Sequence, residues 1–364
     1  MRYYEIIIYD KGGDIVVPRH FLKTQKNATY TSYIDGKSLP AALNVEIQAQ
    51  VSPFNMPVQP NSSFVRIWGV SIGEISQSAD LNDLQIVVKA GMQKGLPLAN
   101  PKQNGVILQG RIWQSNGNWI GLDKTLDLFV NPTDVEPGPR NFAFIWKRGQ
   151  TIEQPLKSTL GLAMPAYTPK VVVSSELVAQ GDMVGSYRSL SEFATAIKKV
   201  TQQQQYKGIK TLLGNKYDGV NITARGKDLI AYDGTADYAE NSYSKPLEVK
   251  FIDLVGQPTW ITANQINFKT VMRADIKVGD YVKLPKDLRT PYVVTSPGSS
   301  LPGTPARDKL AFAGVFLVQR VYHWGNFRVP LADAWVSTFD AVFAPNDSTS
   351  TSSTNTSNGG GAAP

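Results

Sequence analysis

The sequence predicts a mainly β protein with a small α+β insert. Short apolar runs with period-two alternation recur along most of the chain, separated by Gly, Pro and Asn turns. The clearest helical period runs from Leu190 to Gln203. Between two β-rich stretches lie Pro132, Pro137 and Pro139, which together mark a boundary.

Tyr3 to Tyr9 is the first strand, and Gly12-Gly13 turns the chain. Leu43 to Val51 alternates, with Leu43, Val45, Ile47, Ala49 and Val51 on one face and Asn44, Glu46, Gln48 and Gln50 on the other. Phe64 to Gly69 is a strand that Ile72 to Ile75 continues past a turn. Leu84 to Ala90, Val106 to Gln114 and Lys124 to Val130 complete a meander or barrel.

The insert opens with strands at Phe142 to Trp146 and Lys170 to Val173. Ser189 and Glu192 form the capping box of the helix, whose apolar stripe is Phe193, Ala194, Ile197 and Val200. Tyr217 to Ala224 and Asp228 to Tyr232 make a hairpin round Arg225-Gly226, and Asp233 to Lys245 is a polar loop.

The last β-rich part begins with the alternating run Leu247 to Leu254 and a turn at Gly256-Gln257-Pro258. Gln265 to Val271 and Tyr281 to Leu284 follow, then two strands within Phe312 to Phe343. In the first of these, Val315, Leu317, Gln319, Val321 and His323 fall on one face, and Phe316, Val318, Arg320, Tyr322 and Trp324 on the other, until Gly325-Asn326 breaks the run. Apolar residues on both faces imply cover on both sides: a core on one, a neighbouring subunit on the other. Pro291 to Pro305 is a loop, and the Ser/Thr/Asn/Gly tail has no apolar anchor. The expected domains are residues 1–131, 132–245 (the α+β insert) and 246–344, with a flexible tail at 345–364.

Composition excludes several classes. The chain has 364 residues, 42% hydrophobic, enough for more than one core. There is no cysteine, hence no disulfide and no thiolate metal site. The formal charge of +7, from 37 basic and 30 acidic residues, is spread along the chain rather than gathered into a nucleic-acid patch. No apolar run is long enough to span a bilayer, and the N-terminal apolar patch is too short for a signal segment.

Chemistry-bearing motifs are few. The two histidines, His20 and His323, are far apart in sequence, and neither a Gly-x-Ser-x-Gly elbow, an EF-hand loop nor a phosphate loop occurs. Aspartates and glutamates lie mostly in turns and on polar strand faces. The turn within Ile276 to Val282 reads as a plain hairpin. No residue is assigned a catalytic, cofactor-binding or metal-binding role, and no cofactor is expected.

The order of certain blocks resembles the baseplate hub proteins of tailed phages. The first blocks are Arg66 to Ile75, Leu84 to Gly91 and Val106 to Trp113. The second set is Phe251 to Pro258, Ile276 to Val282, Phe312 to Arg328 and Trp335 to Phe339. The most family-like feature is His323-x-Gly325-Asn326-x-Arg328 followed by a Trp-containing strand. The resemblance implies two tail-tube-like β-barrel domains round a smaller one. It implies a homotrimer forming a pseudo-sixfold ring that joins a hexameric tail tube to a trimeric central spike, in contact with other baseplate proteins. DNA would pass through without specific binding, there would be no membrane insertion, and the protein would sit in the virion tail baseplate after assembly in the host cytoplasm. The device would be a phage tail or a related contractile injection machine. No region is left to house a peptidoglycan-cleaving domain, so no enzyme activity is expected. Two other readings remain open. A carbohydrate-binding tail protein would expose Trp113, Trp119 or Trp324 in a groove. A glycan hydrolase would place two carboxylates in a cleft.

Overall fold

The computed structural model describes residues 1–18, 28–56, 62–93, 103–132, 141–203, 217–235, 241–262, 265–285, 312 and 314–344. His20, Pro137, Pro139, the stretch from Pro291 to Pro305 and residues 345–364 lie outside the described residues. The strands are β1 (Arg2–Tyr9), β2 (Tyr30–Thr31), β3 (Tyr33–Ile34), β4 (Lys37–Ser38), β5 (Val45–Val51), β6 (Phe64–Trp68), β7 (Gln85–Met92), β8 (Gly105–Ile120), β9 (Asp123–Asn131) and β10 (Phe142–Trp146). They continue as β11 (Thr168–Val172), β12 (Met183–Tyr187), β13 (Asn221–Arg225), β14 (Asp228–Tyr232), β15 (Leu247–Glu248), β16 (Thr259–Trp260), β17 (Gln265–Val271), β18 (Tyr281–Lys283), β19 (Val315–Asn326) and β20 (Trp335–Ala344). The α-helices are α1 (Ile72–Ser76), α2 (Glu153–Ala163) and α3 (Leu190–Gln203). The fold is mainly β, as the alternation predicts.

One sheet of thirteen strands organises the chain, in the order β16-β17-β20-β19-β5-β6-β9-β8-β7-β1-β2, with β18 and β15 branching from β19. β2, β1, β7, β8, β9, β6 and β5 all send side chains into a single core that holds Tyr4, Ile47, Ile67, Val88, Ile112 and Leu128. The sheet curls round it: Tyr4 of β1 donates its hydroxyl to the carbonyl of Leu43, just before β5, at 2.7 Å although the two strands are far apart in the sheet order. A second core, with Phe268, Phe316, Val318 and Phe339, lies inside β17 to β20. The two are stitched together where β5 pairs antiparallel with β19, from Val51↔Val321 to Glu46↔Asn326. Trp335 of β20 crosses into the first core and donates its indole N–H to the carbonyl of Gly91 at 2.9 Å. Arg2 reinforces the join from the N-terminus, donating to the carbonyls of Asn326 at 2.8 Å and Leu331 at 2.7 Å.

The insert has its own core, built by α2 and α3 against the β10–β12 ribbon and the β11-β14-β13 sheet. The α3 helix matches its predicted span, and Ser189 Oγ accepts the Glu192 N–H at 3.2 Å. The Glu192 carboxylate takes the N–H of Arg188 rather than that of the cap residue. The β13–β14 hairpin turns at Gly226-Lys227, beside the predicted Arg225-Gly226.

Several expectations are corrected. Ile72 to Ile75 is no strand. Ser71 and Glu74 form a full capping box, with Glu74 N–H to Ser71 Oγ at 3.2 Å and Ser71 N–H to Glu74 Oε2 at 2.7 Å, and this starts α1. Leu247 to Leu254 is strand only over β15; Asp253 then turns inward to Arg273 at 3.2 Å, ending in a 3-10 turn. β8 does not stop at Gln114. A bulge between Ile112 and Gln114 lets the polar Ser115 to Asn118 run continue pairing with β9.

The α2 helix has no counterpart among the predicted elements. Pro155 stands in the first turn, where its missing N–H has no helical partner to lose. In β19 a register shift between Val318 and Arg320 moves the inward face. Phe316, Val318 and Val321 therefore share the second core, against the strict alternation. Val315 and Leu317 form a small cluster with Tyr281 and Ala344 of the same chain. Gly325 does not break β19 either; it pairs with Trp335, whose ring lies where a Cβ would stand, 2.7 Å away.

Candidate interaction surfaces

The polar residues at the seam hold it together. His323 is 3% exposed, and its Nδ1 lies 2.7 Å from the Ser337 hydroxyl, which also accepts the Arg273 N–H at 3.0 Å. Burial pushes the imidazole pKa down to about 3, so it is neutral at physiological pH. Ser337 is fully buried, so this Ser-His contact has no path to a substrate and acts as a bond between β19 and β20. Arg273, equally buried, gives Nε and Nη2 to Asp275 at 2.6 Å each and Nη1 to Asp253 at 3.2 Å. These two acids neutralise one buried guanidinium and are not free for acid-base work.

The Val278-Gly279-Asp280 turn does more than reverse the chain. Asp280, 2% exposed, accepts from Arg225 at 2.8 Å, from Asn241 at 3.1 Å and from the Lys277 N–H at 2.8 Å. It thereby locks the insert to the second β unit. Sequence gave no sign of this, since the Arg225 partner lies far along the chain.

An open cleft of about 740 Å³ is lined by Asp10 to Gly13, Asp83 to Gln85 and Arg111. Asp10 caps its own turn through the N–H groups of Gly12 at 2.8 Å and Asp14 at 2.9 Å. Among the described residues no group of three or more His, Asp or Glu side chains could hold a metal. Among the same residues no helix is long and apolar enough to cross a membrane.

Several apolar side chains of the described surface face solvent, among them two groups. The first is a row across the outer wall of the sheet. Trp324 of β19 sits opposite Gln48 of β5, Gln48 opposite Phe64 of β6, and Phe64 opposite Phe129 of β9. The Phe64 and Phe129 rings are 6.3 Å apart, and Trp113 of β8 extends the row 5.9 Å from Phe129. The next row is polar: Glu46 lies opposite Arg66, and Arg66 forms a two-pronged ion pair with Asp127 at 2.7 and 2.9 Å. The row lies on the side of the wall away from the first core.

The second feature is the β8–β9 hairpin tip. Gly121 has φ +62° and Leu122 a negative φ, the arrangement of a II′ turn, which matches the twist of its strands. Trp119, Ile120 and Leu122 project from it, all exposed. Trp119 closes its indole N–H onto the Gly121 carbonyl at 2.9 Å. Below the tip, Gly117 sits against Ile75 of α1, where a Cβ would be 2.6 Å from the Ile75 carbonyl, so the stem is braced. The three tryptophans singled out from sequence thus do not converge: Trp113 and Trp324 share the wall, and Trp119 is at the tip. The tip was missed in the sequence because Val106 to Gln114 ended the predicted strand too early.

The geometry defines a mainly β structural body with two sheet-wrapped cores, a braced hairpin and an inserted α+β unit. No protein-family profile matches the chain, and no curated protein matches it in sequence. Solved structures do. The chain is similar to the tail protein from Neisseria meningitidis MC58, at 9% identity and TM-score 0.48, over 94% of this chain and 98% of that one. It is similar to the 43 kDa tail protein of prophage MuSo2 from Shewanella oneidensis, at 8% identity and TM-score 0.48, over 94% and 97%. A third is the Escherichia coli c3393 protein, described as a component of the type VI secretion system with structural similarity to T4 bacteriophage tail proteins gp27 and gp5. Its identity is 9% and its TM-score 0.44, over 84% of this chain and 75% of that one.

Proposed function

We propose that the chain is a non-enzymatic hub subunit of a phage tail baseplate or related injection device. Three copies form a pseudo-sixfold ring that joins a hexameric tube to a trimeric spike and lets DNA pass. The ring would assemble in the host cytoplasm and reside in the virion tail. Residues 1–131 and 246–344 supply the two wall segments of each copy, and residues 132–245 form the unit between them.

The observation that carries this reading is the thirteen-stranded sheet. Joined at β5 and β19, it holds two β-walled cores side by side, so three copies give six wall segments. The solvent-facing aromatic row and apolar hairpin tip support an assembling protein, because monomers rarely expose such patches without use. The order of hub-like sequence blocks supports the same conclusion.

Electron microscopy of the purified protein tests it. Ring views with a near-sixfold outline and an open centre are the expected result. Compact particles with no channel would overturn the proposal.

A further inference from the structure

Resting on the ring reading, we infer that the β8–β9 hairpin tip of one copy docks on the outer face of the β10–β12 ribbon of the next. A closed ring of identical copies needs a heterologous contact, with different patches on each side. The chain carries two such patches on different units.

The first is the tip, where Trp119 is 63%, Ile120 77% and Leu122 97% exposed. Covering apolar side chains of this size favours association, against the entropy it costs. The indole N–H is already bonded to Gly121, so burying the ring orphans no donor. The stem is held by Gly117 against α1, by Ser115 N–H to Asn82 Oδ1 at 2.8 Å, and by Asn118 to Asp127 at 3.1 Å. Little order is left to impose on binding.

The second patch is the ribbon. Ile145 and Val184 are directly opposite each other on β10 and β12 and face solvent, at 53% and 73% exposure. Phe144 and Trp146 on the other face fill the insert's core, and the exposed pair is not part of that core. The charges beside the two patches are of opposite sign. Exposed Asp123 borders the tip, and exposed Lys147 and Arg188 flank the ribbon pair. An apolar centre with opposite charges at its rim is the composition of a specific protein interface.

The chain has no cysteine, so an introduced pair supplies the only thiols. A Leu122→Cys/Val184→Cys double variant, oxidised and run without reductant, should give dimer and trimer bands. A disulfide-free or internally bridged chain that is still trimeric by light scattering would overturn the docking while leaving the ring intact. A chain monomeric in solution would overturn both. Leu122→Asp, at a fully solvated position, should leave the thermal midpoint unchanged and weaken subunit association at least about tenfold, the equivalent of 1.4 kcal/mol. Unchanged association would also overturn the inference.

Discussion

Acid should loosen the seam through one histidine. His323 lies between β5 and β20, buried, with a pKa pushed down to about 3 by desolvation. Unfolded, it would titrate at its ordinary value of 6.5. The unfolded chain therefore binds a proton that the folded chain refuses between those two values. The contribution is fully present above pH 6.5 and is lost as pH falls towards 3, at about 1.4 kcal/mol per pH unit. At pH 5 that amounts to about 2 kcal/mol relative to pH 7.5. Carboxylates titrate over part of this range as well, so the measurement is a difference. Urea unfolding of the native chain and a His323→Leu variant at pH 7.5, 6 and 5 isolates the imidazole. The variant loses the Ser337 bond and starts less stable, but its curve should be flatter by about 2 kcal/mol across the interval. Parallel curves would refute the assignment of a buried neutral histidine to the seam.

Other substitutions probe the same body. Gly325→Val should force its new side chain into the Trp335 ring and cost about 1–3 kcal/mol, read as a fall in thermal midpoint. Arg225→Ala should leave the buried Asp280 carboxylate short of its cation and cost about 3–5 kcal/mol, with the insert becoming the first site of limited proteolysis. Ser71→Ala should remove the α1 cap at a cost of about 0.5–2 kcal/mol, measured by denaturant midpoint.

Much of this architecture is local, and what is local could be read. Gln265 to Val271 alternates and is β17; Ser189 and Glu192 open α3 where a capping box should. What failed to read depends on partners distant in the chain. The bulge in β19 lies in its pairing with β20, so no period within Val315 to Trp324 reveals where the inward face shifts. Gly325 looks like a breaker until Trp335 is laid over it. Ser71 and Glu74 did carry a legible capping box, hidden because the apolar run around it suggested a continuing strand. Asp253 abandons its strand for a buried arginine twenty residues away. The candidate surfaces were half visible: Trp113, Trp119 and Trp324 could be named, but only the fold separates a wall from a tip.

The central claim is that three copies close into a ring. Light scattering on the purified protein at two concentrations tests it most directly. Three times the chain mass at both is the expected result. A single chain mass at both would contradict it.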